Sequence, residues 1–241
     1  MKPLPRVREM LRQGAAGLTC DYCEKEIFRS PRRRLCKRCE EKMFKNDGLT
    51  CEKCGRAMPA EGVCLVCKEH PPHFQKAASP LIYFMDTAAL VNRFKERDRF
   101  FAEYLAEEIW KILDRLELPE EPLIVAVPTT PSKLAERGYN PPEEIAKALA
   151  VRTGYEFAEG VLLKFGEGEQ KHRSAKDRLE KIKRSIRVRK RKICQNRIIL
   201  VVDDVMTTGA TGSECARALK LIGAKDVYFV AACALPQKRE E

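Results

Sequence analysis

The chain has 241 residues, 44% of them apolar, which is enough to build a genuine core and too much for a wholly disordered polypeptide. The longest apolar run, Val227 to Leu235, ends at Pro236 and falls far short of the ~20 residues that span a bilayer. The opening Met-Lys-Pro-Leu-Pro-Arg carries charge where a secretory signal needs an apolar stretch, so the expectation is a cytoplasmic protein with no membrane insertion.

The first predicted unit is a cysteine-rich module over residues 20–70, following a tail at 1–19. Eight of the eleven cysteines form Cys-x2-Cys pairs: Cys20/Cys23, Cys36/Cys39, Cys51/Cys54 and Cys64/Cys67. Two thiolates three positions apart can reach one ion from a tight turn, and a second pair completes a tetrahedral sulfur set. The competing uses of the same cysteines are a disulfide framework or an iron–sulfur cluster. The regularity of the pairs without an export signal favours two structural zinc ions, with pairing in chain order preferred to an interleaved one, although spacing alone does not decide the pairing. Four protein ligands leave no open coordination position, so such ions would hold the fold. Few large apolar residues lie between the pairs, which makes the metal a major source of folding free energy. The Glu-His-Pro-Pro-His segment at 69–73 reads as a linker.

A body of alternating helices and strands is expected over 80–235, with a tail at 236–241. Leu90, Phe94, Phe101, Leu105, Ile109, Ile112 and Leu116 recur at helical spacing from Ala88 to Leu116, with a break at Lys95 to Arg99. Leu123 to Val127 reads as a buried strand and Pro141 to Ala150 as a helix. Val161 to Phe165 is a further strand, followed by a long basic stretch. Residues 171–197 hold 13 Lys or Arg against 2 acids, a local +11 that attracts phosphates unless it is simply a solvated basic loop. Ile198 to Val202, a turn at Asp203 to Thr211, a helical stripe closed by Gly223 and a strand at Val227 to Cys233 complete a β-loop-α-β unit. The sheet is therefore expected to be parallel, with helices packed against it.

The chemistry is concentrated in Ile198 to Thr211. Two carboxylates, Asp203 and Asp204, stand at the carboxyl end of a strand, where open α/β sheets bind ligands. The following turn offers the hydroxyls of Thr207, Thr208 and Thr211, close backbone approach at Gly209 and Ala210, and the positive end of a helix. A phosphate suits that nest, and the carboxylates suit ribose hydroxyls or a magnesium shell. Neither the Walker pattern nor Gly-x-Gly-x-x-Gly occurs.

This segment resembles the phosphoribosyl-pyrophosphate (PRPP) signature of type I phosphoribosyltransferases, which implies that the acidic pair contacts the ribose hydroxyls and that the Thr-rich turn wraps the 5-phosphate. The order of motifs is similar to that of the ComF family, associated with DNA uptake and natural competence. It consists of the cysteine knuckles, Tyr83 to Lys95, Val127-Pro128 leading to Arg137-Gly138-Tyr139-Asn140, Gln170 to Arg178 and the Asp-Asp loop. The resemblance implies a type I phosphoribosyltransferase-like α/β domain behind a small N-terminal zinc-ribbon or knuckle module with two four-cysteine sites. It also implies a pyrophosphate loop at Thr129, Thr130 and Lys133 with Arg137, where the plain alternative for Lys133 and Arg137 is helix-surface charge. Residues 166–197 take the place of a mobile loop, in which Lys171, Arg173 and Lys176 would neutralise departing pyrophosphate. The basic run continues through Lys183, Arg184, Arg187, Arg189 and Lys190, further than pyrophosphate requires, and this points to nucleic acid.

The pattern also departs from the purine-specific members. Thr207 stands where those enzymes carry an aspartate base, and no C-terminal hood follows the last strand, so the zinc module is a candidate for the hood position. Two functions are therefore expected. One is a PRPP- and single-stranded-DNA-binding protein of DNA uptake, with other uptake proteins as possible partners. The other is an active, magnesium-dependent phosphoribosyltransferase that displaces pyrophosphate with an unidentified amine or base, for which no catalytic residue is evident.

Overall fold

The computed structural model describes residues 19–27, 35–96, 98–165 and 185–236. Two short helices, α1 (Lys37–Glu40) and α2 (Leu65–Glu69), belong to the cysteine-rich segment. They are followed by β1 (Ala77–Ala78), β2 (Leu81–Ile82), α3 (Met85–Glu96) and α4 (Phe101–Trp110). Next come β3 (Leu123–Ala126), α5 (Pro131–Arg137) and α6 (Pro141–Thr153), then β4 (Leu162–Lys164) and β5 (Ile186–Val188). The chain closes with β6 (Ile198–Met206), α7 (Ala210–Leu221) and β7 (Asp226–Ala234).

The main sheet has the order β1-β7-β6-β3, with β2 also pairing β7, and every pairing in it is parallel. Both faces are covered, and so β6 and β7 read as continuous apolar runs. The strand period of two sorts their side chains. Ile124, Leu200, Val202, Val230 and Ala232 pack with Leu90, Phe94, Leu105, Ile109 and Ile145 of α3, α4 and α6. Leu123, Val125, Ile199, Val201, Phe229 and Ala231 pack with Cys215, Ala216 and Leu219 of α7 and with Leu162 and Ile186 of the β4–β5 arm. The α/β architecture, a parallel sheet flanked by helices, is the one the sequence predicts.

Several boundaries shift. The long helical stripe divides at the expected break, α3 ending at Glu96 and α4 starting at Phe101. The strand expected to stop at Val202 runs on to Met206, because Asp203, Val205 and Met206 pair with Ala231, Cys233 and Ala234 of β7. Part of the basic stretch is itself ordered, since β5 pairs antiparallel with β4 from Leu162↔Val188 to Lys164↔Ile186.

The cysteine-rich segment covers the β1–β2 edge of the sheet. Asn46 Nδ2 donates to the Gly55 and Ser79 carbonyls, and the backbone N–H groups of Asn46, Ala77 and Ile82 donate to Pro80, Lys53 and Phe44. An edge paired in this way does not template association with another chain. Gly55 holds the closest approach: its φ is +67°, and a Cβ there would lie 2.5 Å from the Ala77 carbonyl oxygen. Its N–H donates to the Cys51 carbonyl.

Candidate functional site

Alternation along β6 places its two acids on either side of the strand. Asp204 faces α3, where the Lys95 Nζ lies 3.3 Å from its Oδ1. Asp203 lies towards α7 and accepts from the Asp204 N–H at 2.8 Å. Both are 8% exposed. Burial first, and then the Asp204 charge, push the Asp203 carboxyl up to about 7, while Lys95 and Lys164 pull the other way. Two buried carboxylates with Lys95 against one of them and the Lys164 charge acting on the other form a site that a cation or hydroxyl donors can occupy.

The turn after β6 is tight. Gly209 has φ +79° and caps α7 without a side-chain cap, while the Thr208 hydroxyl accepts from the Ala210 N–H at 3.3 Å. The first helical turn therefore presents its donors towards the turn, as an anion requires. The helix is seated by Gly212, where a Cβ would lie 2.8 Å from the Phe229 ring, and Phe74 stacks on the same ring with centroids 5.5 Å apart.

The loop after β3 rises at the same sheet edge. Ala126 is in register with Val202, and the Val127 N–H donates to the Val202 carbonyl at 2.9 Å. Thr130, buried, caps α5 by accepting from the Lys133 N–H, and Asn140 Nδ2 donates to the Val127 carbonyl and braces the loop. Thr129 and Arg137 are half-buried and Lys133 is exposed. The structure thus brings Thr129 to Arg137 and Asp203 to Thr211 to one edge of the sheet. Lys95, Lys164 and Asn140 complete this edge. Lys95 and Asn140 fall within the ComF-like motifs of the sequence, which gave neither an individual role, and Lys164 was not singled out, since their placement depends on packing between segments.

Of the basic residues, Arg187, Arg189 and Lys190 are exposed on or just beyond β5, and the Arg187 guanidinium lies 4.8 Å from the Phe165 ring centroid. The β4–β5 stem ends with the Phe165 N–H donating to the Ser185 carbonyl, next to Lys164. Lys171, Arg173, Lys176, Lys183 and Arg184, with the Gln170 to Arg178 stretch, lie outside the described residues.

The eight paired cysteines form two groups in chain order, Cys20, Cys23, Cys36, Cys39 and Cys51, Cys54, Cys64, Cys67, with the sulfurs of each group within 4.8 Å of one another. Sulfurs about 2.3 Å from a tetrahedral ion lie about 3.8 Å apart. The Cys23–Cys36 and Cys54–Cys64 separations are both 3.8 Å, so each group fits one metal ion. The Cys36 and Cys64 N–H groups donate to the Cys20 and Cys51 sulfurs at 3.3 Å. The first group packs with the α3 and α4 face of the sheet and the second with the α7 face. Cys194, Cys215 and Cys233 are fully buried, and burial pushes all three thiols up.

No protein-family profile matches the chain. It is 26% identical over 219 residues to "Competence protein F" of Haemophilus influenzae, covering 86% of this chain and 93% of that one. It is 31% identical over 137 residues to "Competence protein ComFC" of Streptococcus pneumoniae, covering 54% of this chain and about half (52%) of that protein. It is 27% identical over 190 residues to "DNA utilization protein YhgH" of Salmonella typhi, covering 76% and 83%. Among solved structures it is similar to an allosteric regulatory enzyme of purine biosynthesis, at 18% identity and a TM-score of 0.35 over 54% of this chain and a quarter (25%) of that one. It is also similar to Trypanosoma cruzi hypoxanthine phosphoribosyl transferase, at 12% identity and 0.35 over 58% and 74%. The chain is thus similar in sequence to Competence protein F, ComFC and YhgH, which agrees with the ComF resemblance of its motifs.

Proposed function

We propose that the chain binds PRPP with Mg2+ at the Asp203–Thr211 edge and acts in DNA uptake, holding single-stranded DNA with its basic segment while two zinc ions maintain the cysteine module. One observation carries this reading: a buried acidic pair and a helix start capped by a glycine share a sheet edge with the Thr129–Arg137 loop and with Lys95 and Lys164. In the pyrophosphate-binding role, Thr130 and Lys133 would meet the diphosphate and Asp203 and Asp204 the ribose hydroxyls or the Mg2+ shell. The ion would supply charge neutralisation. The names of the relatives, competence and DNA utilization proteins, support the uptake role.

The strand-binding part rests on the local +11 of residues 171–197 and on the position of the β4–β5 stem, which carries Arg187, Arg189 and Lys190 beside an exposed Phe165. Backbone contacts and base stacking give weak sequence preference and strong salt dependence.

The test is calorimetry with PRPP and Mg2+, followed by a short single strand. Binding of both supports the reading, and Asp203→Ala/Asp204→Ala abolishes the first heat. Retained tight binding in that variant counts against the site. Unchanged strand affinity after neutralising residues 171–197 counts against the basic segment. Pyrophosphate release on adding an amine or base acceptor assigns turnover as well as binding.

A further inference from the structure

Arg56 is the one long cation of the second cysteine group that is buried, at 6% exposed. Its guanidinium is used on two sides. Nε lies 3.5 Å from the Cys54 sulfur and Nη2 lies 3.8 Å from the Cys64 sulfur. Nη1 donates to the Thr207 backbone carbonyl at 3.0 Å. Thr207 is the first residue of the turn between β6 and α7. A planar fork suits this arrangement because its donors are fixed relative to one another, so displacing one set of acceptors displaces the other.

A second contact joins the same elements. The His73 N–H donates to the Ser213 hydroxyl in the first turns of α7, and Phe74 packs beside Gly209, 3.8 Å from where a Cβ would sit. The second knuckle and the segment leaving it therefore hold the turn from two directions. Four thiolates around a dication leave a net negative cluster, which a buried guanidinium partly offsets. The first cysteine group is placed differently. Its neighbouring cation, Arg93, donates to the Tyr22 and Asp21 carbonyls and pairs with Asp98, with no link to the turn among the described residues.

We propose that Arg56 is a positioning residue that couples metal occupancy of the second cysteine group to the shape of the Thr207–Thr211 turn, and through it to phosphate affinity there. The affinity part rests on the PRPP reading above, whereas the coupling itself does not. With the ion bound, Cys54 and Cys64 hold the fork and the fork holds the Thr207 carbonyl. With the ion removed, the sulfurs separate and the turn loses its anchor.

The experiment uses the full chain and three readouts: zinc content, hydrogen exchange over residues 205–211, and PRPP affinity. Arg56→Met and Arg56→Lys are expected to keep two zinc ions, to exchange about tenfold faster in the turn and to bind PRPP about tenfold more weakly, as loss of a charge-assisted hydrogen bond requires. Unchanged exchange overturns the proposal. If the variants lose metal or fail to fold, stepwise chelation of the unmodified chain decides, with alkylation mapped by mass spectrometry to identify the released cysteines. Faster exchange on release of Cys51, Cys54, Cys64 and Cys67, but not of the first group, supports the coupling. The same response to both groups, or to neither, overturns it. If the unmodified chain binds no PRPP, the functional reading fails while the exchange comparison still decides the coupling.

Discussion

Asp203 is a carboxyl whose folded-state value, about 7, lies well above its ordinary 3.8 because it is buried beside Asp204. Between those values the folded chain binds more protons than the unfolded one, so this group's contribution to stability falls as pH rises from about 4 to 7. Asp203→Asn removes the term. The variant is expected to melt higher than the native chain at pH 8, with the gap shrinking towards pH 5. A gap that stays constant across that range contradicts the assignment. Lys95 partly offsets the cost, and Lys95→Met is expected to destabilise the native chain more at pH 8 than at pH 5, in parallel melting scans. The acids and the Thr-rich turn were legible in the sequence because their chemistry is local and contiguous. Lys164 and Arg56 were not, and Lys95 and Asn140 entered only as ends of family-like motifs with no role of their own, because their partners lie on other segments and meet them only on packing. Arg56 and Thr207 are 151 positions apart.

Element-level features position the site. The α7 helix can lie close to β7 because position 212 has no side chain, and Phe229 and Phe74 stack beneath it. Gly212→Val forces the helix away from the sheet. The expected cost is about 1–3 kcal/mol of overpacking, measured by denaturant titration, with weaker PRPP binding as the turn at the helix start shifts. An unchanged midpoint contradicts the close seat. The helices α3, α4 and α6 were legible because their core faces repeat, and β6 and β7 because both faces are buried and the strands read as unbroken apolar runs. The two-residue strands β1 and β2 are too short to show a period. Helix α5 buries no residue and so offers no apolar stripe to read. The end of β6 was placed early because Asp203 and Asp204 resemble turn residues, whereas pairing with β7 extends the strand through them.

Across the whole molecule, the cysteine groups are built into both core layers and cover the sheet edge, so metal removal reaches further than the module itself. Chelation is expected to release two ions per chain and lower the melting temperature by about 10 °C or more. Alkylation after chelation should label the eight paired cysteines while sparing Cys194, Cys215 and Cys233 as long as the sheet stays folded. Chain-order pairing was the preferred reading of the spacing, and the structure groups the sulfurs that way. The placement of the two groups on opposite faces of the sheet was invisible, because it depends on how Asn46 and Gly55 dock against the edge strand.

PRPP is expected in one crevice, between the end of β6 and the start of α7. A crystal of the full chain soaked with PRPP and Mg2+ tests it most directly. Density is expected for the ribose beside Asp203 and Asp204 and for the 5-phosphate within the Thr207–Thr211 turn, with Lys95 drawn off Asp204. Density bound elsewhere, or a crevice that excludes the compound at saturating concentration, would contradict it.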